Sequence, residues 1–298
     1  MARRVKVDGQ ADKGFVSFQF NEEEVVRYEF GKQWAIPHIW PLKSPSGKDL
    51  LVQQTEPFPH HRSLWIADKV QLNDGPVVDY YHDWKNLIDK EDPAKGYHSF
   101  IRNDGLEIVG TRGGNGGGVG YTIANLTWIG HGEKVLAQTM EIEVVDHGDG
   151  QYALHMEWEL QAEYGDVHFH SDWVHYGWPF VRMSEAFKGD SGGVITVDDG
   201  RTGQKETNEQ YALWLDYSNT VDGVTEGLTV FTPNDGSQRK WLTREYGTFG
   251  PRRPDDLSGK RFTLKKGESL EGSVIIFVHN GGVEAARAFA ADLYADAE

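Results

Sequence analysis

The chain has 298 residues and a formal net charge of −16, with a pI of about 5.2. This charge argues against nucleic acid as a partner, because phosphate recognition requires clustered lysine and arginine, and it disfavours an anionic membrane surface. The sequence contains no cysteine, which excludes disulfides and thiolate sites, and no apolar run approaches the ~20 residues of a spanning helix. We therefore expect a cytoplasmic protein that binds neither nucleic acid nor a membrane.

Apolar and polar residues alternate along most of the chain, a pattern that is typical of half-buried strands. The predicted strands are, in chain order, residues 14–20, 24–30, 119–129, 140–144, 151–160, 211–217, 226–232 and 272–279. Residues 140–144 and 151–160 are predicted to form a hairpin with one solvated face. Helical spacing of Ala, Phe and Leu appears only over residues 283–295. These elements predict one all-β domain over residues 1–298, a large antiparallel β-sandwich with a C-terminal helix.

Two adjacent histidines followed by an arginine, within residues 59–65, form the strongest candidate for a functional site. Two imidazoles and a guanidinium make a poor core segment, whereas they can transfer protons, bind a metal or hold an oxygen-rich substrate. If the segment is extended, His60 and Arg62 share one face and His61 points to the other. We therefore predict that His60 faces the substrate, unless a bend at Pro59 reverses this assignment or lets both rings enter the site.

Further histidines, arginines and aromatic residues extend this candidate site. The predicted catalytic residues are His60, His61, His98, His175 and Arg182. The predicted substrate-binding residues are Arg62, Trp65, Asp79, His82, Trp178, Arg244 and Tyr246. Histidine is the natural acid and base near neutral pH, arginine can neutralise a carboxylate or an enolate, and aromatic rings can pack on a sugar. At least one of these aromatic residues is expected to serve only core packing.

A metal site is a separate alternative. His168 and His170 are two residues apart, so on a strand both rings lie on one face, an arrangement that can bind zinc or manganese. The sequence identifies no third ligand. We therefore expect that no cofactor is required, and we leave a divalent metal at this pair as an open alternative.

Several segments together resemble a family of soluble bacterial proteins catalogued as "methane oxygenase PmoA". They are residues 27–28, 37–47, 59–65, 212–218, 227–231 and 241–247. Ser63 stands where the family usually has glycine, and Phe58 where a histidine is common. The genuine methane-oxidising subunit is a membrane protein, but no segment of this sequence has an apolar run long enough to span a bilayer. The resemblance implies instead a sandwich similar to aldose epimerases, a galactose-mutarotase-like supersandwich, with a site on the concave face of one sheet.

The residues and the resemblance together predict a carbohydrate-active enzyme. It would use histidine acid–base chemistry on a small or oxidised sugar, as an epimerase, a lyase or a glycoside-cleaving enzyme. A non-catalytic carbohydrate-binding protein would keep the tryptophans and Arg62 without a convergent histidine cluster. A metal-dependent oxygenase would need two histidines and a carboxylate at one point. The expected partner is a small-molecule carbohydrate, and a homo-oligomer remains open.

Overall fold

The structure is a computed structural model that describes residues 5–112, 118–170, 177–235, 237, 239–254 and 256–295. In chain order its strands are β1 (Val5–Gln10), β2 (Phe15–Phe20), β3 (Glu23–Glu29), β4 (His38–Leu42), β5 (Leu64–Trp65), β6 (Lys69–Leu72), β7 (Val77–Asp79), β8 (Phe100–Arg112), β9 (Val119–Gly130), β10 (Glu133–Gly148), β11 (Gln151–Gln161), β12 (Val167–Phe169), β13 (Phe180–Arg182), β14 (Val194–Val197), β15 (Trp214–Val221), β16 (Val224–Phe231), β17 (Trp241–Thr243), β18 (Thr248–Pro251), β19 (Phe262–Leu264) and β20 (Ser269–Asn280). The α-helices are α1 (Gly203–Thr207) and α2 (Val283–Leu293).

The strands form three antiparallel sheets, of which the two largest pack face to face. Sheet 1 has the order β1-β2-β3-β4-β5-β13-β18-β17, sheet 2 the order β14-β15-β16-β20-β11-β10-β9-β8, and sheet 3 the order β19-β12-β6-β7. Phe20 on β2 meets Tyr152 on β11 with ring centroids 5.5 Å apart, and the Tyr152 hydroxyl donates to the carbonyl of Lys43 at 2.7 Å. The predicted antiparallel sandwich with a C-terminal helix is therefore confirmed.

The hairpin of β10 and β11 shows why the strand predictions succeed. Met140 lies opposite Trp158 and Val144 opposite Leu154, and all four side chains are buried. The residues between them, such as Glu141, point to the other face and are more exposed. Because alternate side chains of a strand point to opposite faces, this alternation fixes both the strands and the face that meets the core.

Helix α2 covers part of the outer face of sheet 2 and creates a second, smaller core. Its buried contacts join Ala286 and Ala290 of the helix to Trp214, Phe231 and Phe277 of the sheet. The helix ends at Leu293, shortly before the predicted end at residue 295. Of the helices in the described ranges, none is long and apolar enough to cross a membrane.

The middle of sheet 1 joins strands that are far apart in the sequence. In the pairing of β5 with β13, Trp65 lies opposite Phe180, and in the pairing of β13 with β18, Arg182 lies opposite Thr248. Residues directly opposite one another in an antiparallel pair, and every second residue of a strand, point to the same face. These four side chains therefore share one face of sheet 1, and the candidate site lies over it.

Candidate functional site

The histidine pair lies in a loop of consecutive turns that ends where β5 begins. The backbone N–H of Phe58 donates to the carbonyl of Thr55, and that of His61 donates to the carbonyl of Phe58, each at 2.9 Å. Strand alternation does not apply in such a loop, and the rings of His60 and His61 are in contact, with centroids 4.6 Å apart. The opposite-face arrangement is therefore wrong, and the bend near Pro59 brings both rings to one place.

A second segment, which follows β7, supplies the partners of this pair. His82 donates its backbone N–H to Asp79 Oδ1 at 3.1 Å and its Nδ1–H to Asp79 Oδ2 at 2.9 Å. Because an ionised carboxylate only accepts hydrogen bonds, the neutral ring keeps its proton on Nδ1 and an acceptor lone pair on Nε2. The ring of His82 lies 4.7 Å from that of His60. We call His60, His61, Asp79 and His82 the histidine cluster.

His61 braces the cluster from below. Its side chain is 2% exposed, its Nε2 lies 3.0 Å from the Tyr81 hydroxyl and its Nδ1 lies 3.3 Å from Thr248 Oγ1. The ring also stacks on Phe58, with centroids 4.9 Å apart. Since both nitrogens have protein partners, His61 holds the loop, whereas the partly exposed His60 is the member of the pair that faces outward.

Burial keeps the adjacent imidazoles neutral. It lowers the pKa of His60 to about 4 and that of His61 to about 2, and neighbouring imidazoles act in the same direction. Burial alone would raise the pKa of Asp79, but hydrogen bonds from His82 and Lys85 hold it well below its usual range. At pH 7 His60 and His61 are thus neutral and Asp79 is ionised, and imidazoles beside a carboxylate suit a general base.

Arg182 and Tyr246 form the next wall of the site. The Arg182 guanidinium lies over the Tyr246 ring, 4.8 Å from its centroid, and donates to the Tyr246 carbonyl. The turn that carries Tyr246 favours Gly247, which has a φ of +98° and where a Cβ atom would lie 3.1 Å from the Cβ atoms of Met183 and Lys188. The Tyr246 ring is 5.1 Å from that of Phe58. The arginine also lowers the pKa of His61, so it both places the tyrosine and keeps the buried imidazole neutral.

Two predicted stacking residues are buried. Trp65 is 1% exposed and stacks on Phe180, with centroids 5.0 Å apart. Trp178 is 5% exposed and donates its Nε1–H to Asp68 at 3.2 Å. Neither ring offers a face to a ligand in this conformation, which is consistent with the expected packing role of at least one aromatic residue.

Arg62 points away from the histidine pair. Its side chain is 2% exposed, forms an ion pair with Asp83 and lies 5.2 Å from the centre of the Trp34 ring. Burial raises the pKa of Asp83, and Arg62 acts against this increase. The contact of Arg62 with substrate stays a prediction, and in this conformation its guanidinium is buried and paired with Asp83. The ion pair instead ties the loop of the histidine pair to the segment that follows β7.

The remaining predicted residues lie at the edge of the cluster or apart from it. The ring of His98 stacks on His131, with centroids 4.7 Å apart, and no ring of the cluster contacts it in the described ranges. Burial raises the pKa of Tyr81, and the nearby Arg244 acts against this increase. Arg244 also donates to Asn208 Oδ1 at 2.6 Å. His175 lies outside the described residues.

The rings of His168 and His170 lie on one face of β12 and the residue after it, as predicted. Nδ1 of His168 is 2.7 Å from Thr263 Oγ1, and Nε2 of His170 is 2.8 Å from Gln71 Oε1. Among the residues that the structure describes, no three His, Asp or Glu side chains are grouped as a metal centre requires. A divalent metal at this pair therefore stays a prediction.

Sequence reasoning missed three residues of the site. Tyr81 lies between two predicted residues in the aromatic run after β7, and this position could have identified it. Phe58 was noted only as a departure from the family that the chain resembles. Thr248 contacts a histidine 187 positions away, and nothing in its local sequence indicates this.

Comparison with known proteins gives weak likenesses. No curated protein matches the chain in sequence. Among solved structures, the galactosidase domain of the alpha-galactosidase-sucrose kinase AgaSK has a TM-score of 0.42 at 8% identity, over 93% of this chain and 42% of that one. The GH36 alpha-galactosidase AgaB from Geobacillus stearothermophilus has a TM-score of 0.39 at 11% identity, over 93% and 41%. A Glycoside Hydrolase Family 97 enzyme from Pseudoalteromonas sp., in complex with acarbose, has a TM-score of 0.39 at 7% identity, over 92% and 34%. This chain therefore spans less than half of each, and these likenesses carry no inference about its activity.

A protein-family model provides the firmer relationship. The family is described as "Family of unknown function (DUF6807)", and its model matches residues 15–292. This range contains the whole histidine cluster and every strand from β2 to β20. The chain therefore belongs to this family of unknown function.

Proposed function

We propose that the chain is a carbohydrate-active enzyme that moves protons between its imidazoles and a small or oxidised sugar. The observation that carries this proposal is the convergence of two separate segments. His60 comes from the loop before β5 and His82 from the segment after β7, yet their rings lie 4.7 Å apart beside Asp79. Partly exposed polar rings contribute little as core packing, so their juxtaposition favours a chemical role.

His82 is the proposed base. Because Asp79 holds the ring proton on Nδ1, Nε2 can accept a proton from a hydroxyl or from a carbon beside a carbonyl. His60 is neutral at pH 7, since its pKa is lowered to about 4, and it is the proposed relay that receives and returns the proton. Two adjacent imidazoles can therefore remove a proton at one position and deliver one at another, as epimerisation and β-elimination require.

The aromatic wall supports a sugar as the substrate. Phe58 and Tyr246 are both partly exposed, and their rings provide faces on which the C–H surface of a sugar can pack. Arg182 and His61 are positioning residues, because each is buried and acts through a neighbour. A non-catalytic binding protein would not need the rings of two separate segments to converge beside a carboxylate, so this convergence favours the enzyme.

Exchange with deuterated solvent tests this proposal. The protein is incubated in D2O with aldoses, ketoses, uronic acids and aryl glycosides, and proton NMR follows the loss of C–H signals and the appearance of products. His60→Gln and His82→Gln should each lower the rate ~10²–10⁴-fold, as loss of a general acid or base does. His155→Gln is the control, because this partly buried histidine lies on β11, outside the cluster.

Two results would contradict the proposal. One is that no compound of the panel exchanges or reacts with the wild-type protein. The other is that both cluster variants, folded as judged by circular dichroism, retain the rate of the His155→Gln control.

A further inference from the structure

A second concave site lies on the other side of Arg62, away from the histidine cluster. It is a cleft of about 710 Å³, lined by the β1–β2 turn (residues 11–14), the loop after β3 (residues 30–34), residues 95–97 and the start of β8 (residues 100–105). Its volume falls in the range of small-molecule sites, ~300–1,000 Å³. None of the proposed acid–base residues lines it.

The backbone itself shapes this cleft. Gly14 has a φ of +80°, and a Cβ atom there would lie 2.2 Å from the Cα of Gly31. The backbone N–H of Phe30 donates to the carbonyl of Gly14 at 2.7 Å. Because the two backbones touch, the β1–β2 turn and the loop after β3 are joined into one wall. The cleft is therefore a built feature of the fold and does not depend on the rotamer of one side chain.

Aromatic residues backed by a buried ion pair form another wall. Trp34 and Tyr97 both line the cleft, and the guanidinium of Arg62 lies 5.2 Å from the centre of the Trp34 ring on the buried side. Arg62 is in turn held by Asp83. Such support fixes the position of the indole, which can then serve as a stacking platform for a ring-shaped ligand.

The cleft is basic within a strongly acidic chain. The charged residues that line it are Lys13, Lys32, Lys95 and Arg102, together with Asp12 and Asp104. Lys95 and Arg102 already form ion pairs with aspartates. Lys13 and Lys32 are exposed and make no ion pair in the part of the chain that the structure describes. An anionic group in the cleft would therefore meet two ammonium groups without an ion pair, against one lining carboxylate, Asp12, that also has none in the described ranges.

Two N–H groups of the lining also lack partners. Trp34 Nε1 and Asn103 Nδ2 are buried and make no hydrogen bond within the described ranges. A buried donor without an acceptor is costly. Both atoms are covered in this conformation, so a ligand oxygen could accept from them only after a shift of the lining side chains.

We propose that this cleft binds an acidic carbohydrate, with a sugar ring against Trp34 and a carboxylate between Lys13 and Lys32. A nucleotide is the competing ring-bearing anion. Its phosphates would be favoured by a helix N-terminus, which this lining of turns and strand residues does not offer. The inference does not depend on catalysis at the histidine cluster, because it rests on different residues.

Isothermal titration calorimetry with digalacturonate, lactose and AMP tests the proposal. Digalacturonate should bind the wild-type protein more tightly than the other two compounds. The double variant Lys13→Glu, Lys32→Glu should weaken its binding at least about fivefold, because each reversal replaces an attraction by a repulsion. The matched control is Lys205→Glu, Lys266→Glu, which changes the net charge equally at two exposed positions away from the cleft and should leave the affinity within about twofold.

Failure of this proposal can be distinguished from failure of the proposed function. His60→Gln should abolish proton exchange but keep the affinity for digalacturonate. The cleft proposal would be overturned if digalacturonate does not bind the wild-type protein, if AMP or lactose binds at least as tightly, or if the double variant binds as the control does. Loss of digalacturonate binding in His60→Gln, with the fold retained, would also overturn it, because the ligand would then occupy the histidine cluster.

Discussion

At the scale of single residues, two neighbours in the sequence have opposite tasks. His60 is partly exposed and contacts His82, whereas His61 is buried and bonded through both nitrogens. The difference arises from the turns around Phe58, which rotate the chain between the two residues. In this loop, adjacent residues can therefore take different roles, a proposed chemical role for His60 and a structural role for His61, while their rings stay in contact. In a strand, adjacent side chains would point to opposite faces.

Replacement of His61 by alanine should destabilise the fold in a pH-dependent way. At pH 7 the variant loses the hydrogen bonds that join His61 to the Tyr81 hydroxyl and to Thr248, and we expect a loss of ~1–3 kcal/mol in the free energy of unfolding. Wild-type stability should fall as the pH drops below 6.5, because the unfolded histidine then binds a proton that the native residue, with a pKa of about 2, does not. This proton uptake lowers the free energy of unfolding by at most ~2 kcal/mol between pH 6.5 and 4.5.

Urea unfolding of wild type and His61→Ala at several pH values between 7.5 and 4.5 measures both effects. The difference between the two proteins should shrink as the pH falls, because the variant lacks this proton uptake. A difference that stays constant or grows would contradict the assigned neutral state of His61. His60→Gln, at a partly exposed position, should change the stability less than His61→Ala does.

Arg62 is expected to act on stability, since its guanidinium is buried against Asp83 and Trp34. Asp83→Asn should cost ~3–5 kcal/mol, because it leaves a buried cation without its counter-charge. Arg62→Lys should also destabilise, since a point charge replaces neither the planar fork nor the stacking on the indole. Chemical unfolding measures both variants.

Glu284→Gln is the control, because Glu284 belongs to an exposed ion pair of α2, and it should change stability by less than ~1 kcal/mol. Equal effects of Glu284→Gln and Asp83→Asn would refute the structural role of the Arg62–Asp83 pair.

At the scale of elements, prediction succeeded where burial is periodic. β9, β11 and β20 each have one face in the core, and this imposes alternation that can be read from the sequence. The short strands of sheet 1 were not predicted, because β5 has only two residues and β13 has three, which is too short to show alternation. Their pairing depends on contacts between distant segments, which no local pattern records. The site lies over these short strands, so its residue types could be predicted but its geometry could not.

The packing of helix α2 on sheet 2 includes the aromatic ring of Phe289. Phe289 stacks on Phe277 of β20 with centroids 4.2 Å apart and lies 5.2 Å from Phe231. Phe289→Ala should lower the free energy of unfolding by ~2 kcal/mol, below the cost for a fully buried phenylalanine because this ring is partly exposed. Phe289→Leu should cost less, since it keeps most of the apolar contact. Thermal unfolding followed by circular dichroism measures both, and unchanged midpoints would show that the helix does not contribute to stability.

At the scale of the whole molecule, the sheets interleave segments from both halves of the chain. In sheet 1, β5 lies between β4 and β13. In sheet 2, β20 from the C-terminal part of the chain lies between β16 and β11. One continuous core joins residues from β1 to β20. The loop of His60 is therefore held by strands that come from the beginning, middle and end of the chain, and the site can form only when the complete sandwich has formed.

This interleaving predicts different outcomes for two truncations. A chain that ends at residue 281 lacks α2 only, so it should keep both large sheets and unfold cooperatively. Its stability should be lower, because Trp214, Phe231 and Phe277 lose their cover.

A chain that ends at residue 268 also lacks β20. Its removal leaves β16 and β11 without the strand between them, and the core loses the buried side chains of Val274, Ile276 and Val278. Backbone groups in the middle of a sheet that lose their partners are costly, and the lost apolar burial alone amounts to several kcal/mol, close to the whole stability of a typical domain. We therefore expect the shorter chain to show no cooperative transition in urea, measured by tryptophan fluorescence and far-ultraviolet circular dichroism. A cooperative transition in the chain that ends at residue 268 would show that the two parts of sheet 2 are stable without β20.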